Sequence, residues 1–170
     1  RWSVIYKRGI VMIAVIDYGA GNLFSVKNAL EYLGIESIIT SDRDEISCAD
    51  SMILPGVGAF PDAMKMLLNT GLSRVIQKEA LKKPLLGICL GMQLLFEAGS
   101  EFRETKGLSL IPGRVDLMKT PNKIPHMGYN ELEFHQPSPL LSGVSEGACV
   151  YFVHSYMAYT DPLYVAAYAD

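Results

Sequence analysis

Cys89 lies in Gly87-Ile88-Cys89-Leu90-Gly91, where an apolar run from Pro84 to Ile88 meets a helix-like apolar stretch. Glycines two before and two after a nucleophile type let a chain turn sharply from strand to helix and lift the side chain from the top of a sheet. The chemistry of such a position is acyl transfer through a thiolate. The alternative is a buried core thiol, a common fate of cysteine that explains neither glycine.

A free thiol is only a few per cent thiolate, roughly, at neutral pH. A helix starting just after Cys89 would aim unpaired N–H groups at the sulfur, worth up to ~2 kcal/mol when partly buried. That leaves much of the thiol protonated and supplies no proton to a leaving group, so a working site also needs a general base, most often histidine.

Three histidines are available. His135 lies in a polar loop, and His126 follows Lys123-Ile124-Pro125. His154, in Val150-Tyr151-Phe152-Val153-His154-Ser155-Tyr156, is the best placed for a site, although a histidine within an apolar strand also fits a core position. Gln93, four residues after Cys89, falls on the same helical face, either as a surface glutamine or as a substrate-binding amide. The loop Pro55-Gly56-Val57-Gly58 leaves an apolar run as the elbow does. It is either a tight turn or the second oxyanion donor beside the N–H of Leu90, a contribution of about 2.7–4 kcal/mol in the transition state. Neither this loop nor Asp17-Tyr18-Gly19-Ala20-Gly21-Asn22 matches a phosphate-binding glycine pattern.

The elements needed to hold these groups alternate. Ile10 to Ile16 reads as a strand buried on both faces. A helix follows from Leu23 to Leu33, closed by Gly34. Short strands are expected at Ser37 to Ile39 and Ser51 to Leu54, helices at Phe60 to Leu68 and Leu72 to Leu81, then the strand that delivers Cys89. The expected fold is therefore α/β: a mostly parallel open sheet with helices on both faces. From about Leu110, short alternating stretches (Asn130 to Phe134, Ala148 to Val153, His154 to Tyr159) predict antiparallel additions.

At 170 residues, with 49% hydrophobic content and net charge −3, the chain suits one globular domain and argues against disorder or a nucleic-acid-binding surface. Three widely spaced cysteines suggest neither a zinc site nor a disulfide framework; together with the lack of a recognisable signal peptide they point to reduced thiols in the cytoplasm. No apolar run reaches membrane-spanning length. Residues 12–170 are read as the domain, with residues 1–11, rich in basic side chains, as an upstream leader.

The elbow with Gln93 and the Pro55-Gly58 loop resembles the class I, triad-type glutamine amidotransferases, which have a flavodoxin-like sheet. Ile16-Asp17-Tyr18-Gly19-Ala20-Gly21-Asn22-Leu23, Pro125-His126-Met127-Gly128-Tyr129-Asn130 and Tyr151-Phe152-Val153-His154-Ser155-Tyr156 narrow the resemblance to the glutaminase subunits of imidazole glycerol phosphate synthase, of histidine biosynthesis. The anthranilate, GMP, carbamoyl phosphate and pyridoxal phosphate relatives share the elbow but not this set.

The resemblance implies that Cys89 attacks the glutamine side-chain amide, Leu90 and Val57 N–H groups hold the oxyanion, and Gly58, Gln93, Ser155 and Tyr156 hold the substrate. It implies a heterodimer with a (β/α)₈-barrel cyclase subunit, contacted by Tyr18, Asn22, Met127 and Tyr129, and no cofactor. The family's His-Pro-Glu motif, source of base and orienting carboxylate, does not occur here; no His-x-Glu is present in the 170 residues. The chain is thus expected to be C-terminally truncated and inactive alone. A non-catalytic subunit, or another cysteine hydrolase on the same elbow, are the alternatives.

Overall fold

The structure, a computed structural model, describes residues 11–169. Residues 1–10, most of the expected leader and the start of the first expected strand, lie outside the described residues, as does Asp170. In chain order the elements are β1 (Ile13–Ile16), α1 (Leu23–Tyr32), β2 (Ser37–Thr40), α2 (Arg43–Cys48), β3 (Ser51–Leu54), α3 (Phe60–Thr70), α4 (Leu72–Glu79), β4 (Leu85–Gly87), α5 (Leu90–Gln93), β5 (Phe96–Gly99), β6 (Thr105–Lys106), β7 (Ile111–Leu117), β8 (His126–Glu131), β9 (Glu133–Phe134), β10 (Cys149–His154), β11 (Tyr156–Tyr159) and β12 (Ala167–Tyr168).

Four strands form a parallel sheet in the order β2-β1-β3-β4. Successive side chains of a strand face opposite ways. Val15 and Ile53 accordingly pack with Leu30 of α1 on one face. Ala14, Ile16, Met52 and Leu54 meet the α2–α4 side on the other, against Ile46, Phe60, Leu67 and Ile76. Burial on both sides explains the continuous apolar runs of these short strands.

The helix ends are fixed by local chemistry. Asn22 caps α1 by accepting from Ser25 N–H, and Asp42 caps α2 by accepting from Asp44 and Glu45 N–H at 2.8 and 3.0 Å. Helix α3 has no side-chain cap from Ala59; the Glu101 carboxylate, distant in sequence, accepts the Phe60 N–H at 2.7 Å instead. Gly71, at φ +72, turns α3 directly into α4. Lys83 Nζ donates to the carbonyls of Ile46, Ser47 and Ala49 at the end of α2. Glu79, beside Lys82, Lys83 and Lys78, is held below the usual carboxylate range, chiefly by the hydrogen bond from Lys82.

The C-terminal half adds strands of the expected antiparallel kind. A second sheet runs β11-β7-β5-β6, in which only the β5–β7 pair is parallel. β8 and β10 form an antiparallel ribbon, and β9 pairs with β12.

Two expectations need correction. The helix-like stretch after Cys89 is a single turn, α5, and the chain then enters β5. Buried Leu94, Leu95 and Phe96 suit a helix or a strand equally. Pairing decides: Leu110 and Ile111 N–H donate to the Leu95 carbonyl, and Ser109 N–H to that of Phe96. The dipole of a full helix is therefore not available to Cys89. The second correction is α2, which the sequence reading passed over.

Candidate active site

β3 and β4 are adjacent and in register, Leu54 opposite Gly87, so the segments that leave them emerge side by side. The Ile88 N–H still donates to the Leu54 carbonyl at 3.0 Å; one residue later the chain reverses. Cys89 adopts φ 54, ψ −121, a backbone state that non-glycine residues avoid at a cost of about 1–3 kcal/mol. The reversal ends in α5, where Met92 and Gln93 N–H both donate to the Cys89 carbonyl.

The flanking glycines are required by contact. A Cβ on Gly91 would stand 1.8 Å from the Leu54 carbonyl oxygen, and one on Gly87 would stand 2.4 Å from the Met92 Cα. Backbone against backbone is what holds the bend closed. The Cys89 side chain is exposed, as a nucleophile must be.

The Pro55-Gly58 loop lies against this bend: a Cβ on Gly56 would meet the Gly91 nitrogen at 2.5 Å and Leu90 at 3.0 Å. Val57 is exposed and Gly58 has φ +91. Leu90 is the first residue of α5, so its N–H has no intrahelical acceptor. Both expected oxyanion donors thus belong to segments packed on each other at one edge of the sheet.

Tyr18 lies beneath the loop after β3. Expected at a partner surface, it is 2% exposed, and its hydroxyl donates to the Pro55 carbonyl at 3.0 Å. Burial pushes its phenol up to about 12, and the proximity of a negative charge on Cys89 adds to the effect. Gly21, from the same turn, also packs on Pro55: an added Cβ would stand 3.1 Å from the Pro55 Cβ. The turn after β1 is therefore the floor under the Pro55-Gly58 loop. The signal was present in sequence only as a tyrosine between apolar strand and glycines.

Gln93 is brought to Tyr156: its Nε2 donates to the Tyr156 carbonyl at 3.0 Å. Ser155 spends its own carbonyl on the Met118 N–H, which pins the β10–β11 bend to the end of β7. His154 Nδ1 also lies 3.0 Å from the Tyr156 oxygen, and its Nε2 lies 3.2 Å from His126 Nδ1. His126 Nε2 reaches the Asn130 side chain at 2.8 Å. This histidine pair was not foreseen, because it depends on the register that sets His126 opposite His154. His135 stands apart, its ring 6.5 Å from that of Tyr168. Asn22, Met127 and Tyr129 are exposed; Met127 and Tyr129 share the outer face of the β8–β10 ribbon with Tyr151 and Val153.

Among the described residues, no group of three or more His, Cys, Asp or Glu side chains could hold a metal ion, and no helix is long and apolar enough to cross a membrane. The arrangement brings an exposed thiol, the Leu90 turn, the Pro55-Gly58 loop and a hydrogen-bonded Gln93 amide to one end of the sheet.

Known proteins resemble this chain in sequence and fold. The class I glutamine amidotransferase family model matches residues 14–169. Over 148 residues, 86% of the chain, the sequence is 55% identical to the imidazole glycerol phosphate synthase subunit HisH of Bacillus thuringiensis (strain Al Hakam), covering 71% of that protein. The same values hold for the subunit of that name from Bacillus anthracis. In three dimensions, the structure of PurLQS from Thermotoga maritima is similar with a TM-score of 0.69 at 18% identity, covering 95% of this chain and 75% of that one, a likeness of fold.

Proposed function

The chain belongs to the class I glutamine amidotransferase family, and on that premise we propose that it is the glutaminase subunit of an imidazole glycerol phosphate synthase in histidine biosynthesis. The Cys89 thiolate attacks the side-chain amide carbon of glutamine, and the carbonyl oxygen takes the negative charge. Leu90 and Val57 N–H groups stabilise that charge as it develops, the largest single contribution expected from such a site. The nitrogen takes up, by way of water, the proton that the thiol gave up; the C–N bond breaks, ammonia leaves, and a glutamyl thioester remains on Cys89. Water hydrolyses the thioester to glutamate and restores the thiol.

Gln93, Gly58, Ser155 and Tyr156 hold the substrate. Ammonia passes to a (β/α)₈-barrel cyclase subunit, which docks on the side carrying Asn22, Met127 and Tyr129. These 170 residues contain no His-x-Glu, so they supply nucleophile, oxyanion donors and substrate contacts, and alone they turn glutamine over very slowly.

The observation that carries this reading is Cys89: exposed, at positive φ, and wedged between glycines that cannot take a side chain. A diazoketone analogue of glutamine tests it. Alkylation should fall on Cys89, not on Cys48 or Cys149, and L-glutamine should protect. Indifference to glutamine, or equal labelling of all three thiols, contradicts the assignment and favours a different cysteine hydrolase or a non-catalytic subunit.

A further inference from the structure

The Tyr156 carbonyl oxygen is shared. It lies 3.0 Å from Gln93 Nε2 and 3.0 Å from His154 Nδ1. A carbonyl oxygen only accepts, so both nitrogens must donate to it. For Gln93 this fixes the amide with its NH₂ end toward Tyr156 and its Oε1 as the remaining end. For His154 it fixes the proton on Nδ1 and leaves Nε2 with a lone pair.

That lone pair faces His126 Nδ1 at 3.2 Å, which therefore donates. At the far end, His126 Nε2 lies 2.8 Å from Asn130 Oδ1, a contact that holds the ring in place. The His126 ring is stacked on Phe152 at 5.0 Å with an angle of 19° between planes, so neither ring is free to swing. Asn130, the two imidazoles and the oxygen that also holds Gln93 form one connected row.

We propose that His154, locked in its Nδ1–H tautomer by His126, is a positioning residue for Gln93: the two share the Tyr156 carbonyl, and this leaves the Gln93 Oε1 as the acceptor offered to an N–H donor of the substrate beside Cys89. The substrate class is an amino-acid amide, since its ammonium and amide groups supply such donors. The inference rests on the glutamine-site reading of Cys89. Gln93 is one turn from the nucleophile, its N–H 3.3 Å from the Cys89 carbonyl. An amide free to rotate offers oxygen and NH₂ alternately; one pinned at its NH₂ end offers oxygen alone. His154 acts through Tyr156 and is not itself a catalytic residue.

Two substitutions separate positioning from bulk. His154→Asn keeps a donor at the place of Nδ1 but loses the link to His126. His154→Gln keeps a polar group near the place of Nε2 and loses the donor to Tyr156. With the diazoketone analogue of glutamine, His154→Gln should raise the apparent KI for Cys89 inactivation about tenfold, with the maximal rate constant little changed. His154→Asn should restore most of that loss. Iodoacetamide, which needs no glutamine pocket, should alkylate Cys89 at one rate in all three proteins. Nitrogen-15 NMR of the unmodified chain should show His154 as the Nδ1–H tautomer.

An Nε2–H tautomer, an unchanged KI in His154→Gln, or an equal fall in iodoacetamide reactivity each overturns the positioning role. Failure of glutamine to protect Cys89 in the unsubstituted chain instead removes the glutamine-site reading, and the NMR result still decides whether the tautomer lock exists.

Discussion

The Tyr18 hydroxyl and the Pro55 carbonyl are joined by a buried 3.0 Å hydrogen bond that ties the turn after β1 to the loop after β3. Removing it by Tyr18→Phe leaves the Pro55 oxygen enclosed without that donor, which should lower stability by about 1–2 kcal/mol. The loop carrying Val57 loses its floor contact, so analogue labelling of Cys89 should slow as well. Denaturant unfolding and labelling kinetics on the same sample check both.

The same side chain gives a pH signature. The Tyr18 phenol is pushed up to about 12 by burial, with charge at Cys89 contributing, while an unfolded tyrosine ionises near ~10. The folded state binds this proton more tightly, so its contribution is fully present below about pH 10 and is lost as pH rises toward 12. Unfolding midpoints should therefore fall across that window, and Tyr18→Phe should remove this part of the fall. Cys89→Ala should move the Tyr18 phenolate absorbance titration partway back toward the ordinary value.

Two glycines near the thiol should respond differently to alanine. At Gly91 the added Cβ meets the Leu54 carbonyl oxygen at 1.8 Å. Neither backbone can yield without opening the β3–β4 edge, so the loss should be roughly 3 kcal/mol or more. At Gly58 no atom lies within 4 Å, but φ is +91. There the penalty is conformational, about 1–2 kcal/mol. Equal losses by thermal unfolding would contradict the close approach.

The outer face of the β8–β10 ribbon predicts a separation of stability from assembly. Met127 is 61% exposed, and Tyr129 is 74% exposed with its ring 5.2 Å from that of Tyr151. Met127→Glu should change the stability of the isolated chain by less than about 0.5 kcal/mol. It should also weaken association with the cyclase subunit, measured by calorimetry or sedimentation. An unaltered affinity removes this face from the interface.

What was legible in the sequence follows from how local each signal is. β1 and β3 show as apolar runs because both faces of the sheet are covered there, and the elbow shows because its two glycines flank a single sharp bend. Asp42 and Glu45 carried a helix-start signal for Arg43–Cys48 that was open to reading, since Asp42 accepts from the Glu45 N–H. The brevity of α5 was not legible, because Leu94 to Phe96 satisfy either periodicity until β7 arrives to pair. The burial of Tyr18 was not legible for a similar reason: the depth of a turn residue is set by the Pro55 loop above it, 37 positions on. The His126–His154 contact likewise waits on strand register across 28 positions.

Cys89 as an acylated nucleophile can be tested without a general base. The γ-(p-nitrophenyl) ester of L-glutamate carries a leaving group that departs unprotonated, so thiol and oxyanion donors alone should suffice. The expected result is a burst of nitrophenolate approaching one equivalent, with a hydroxylamine-labile glutamyl group on the Cys89 peptide and slow release afterwards. No burst, or the same burst from Cys89→Ala, contradicts the account.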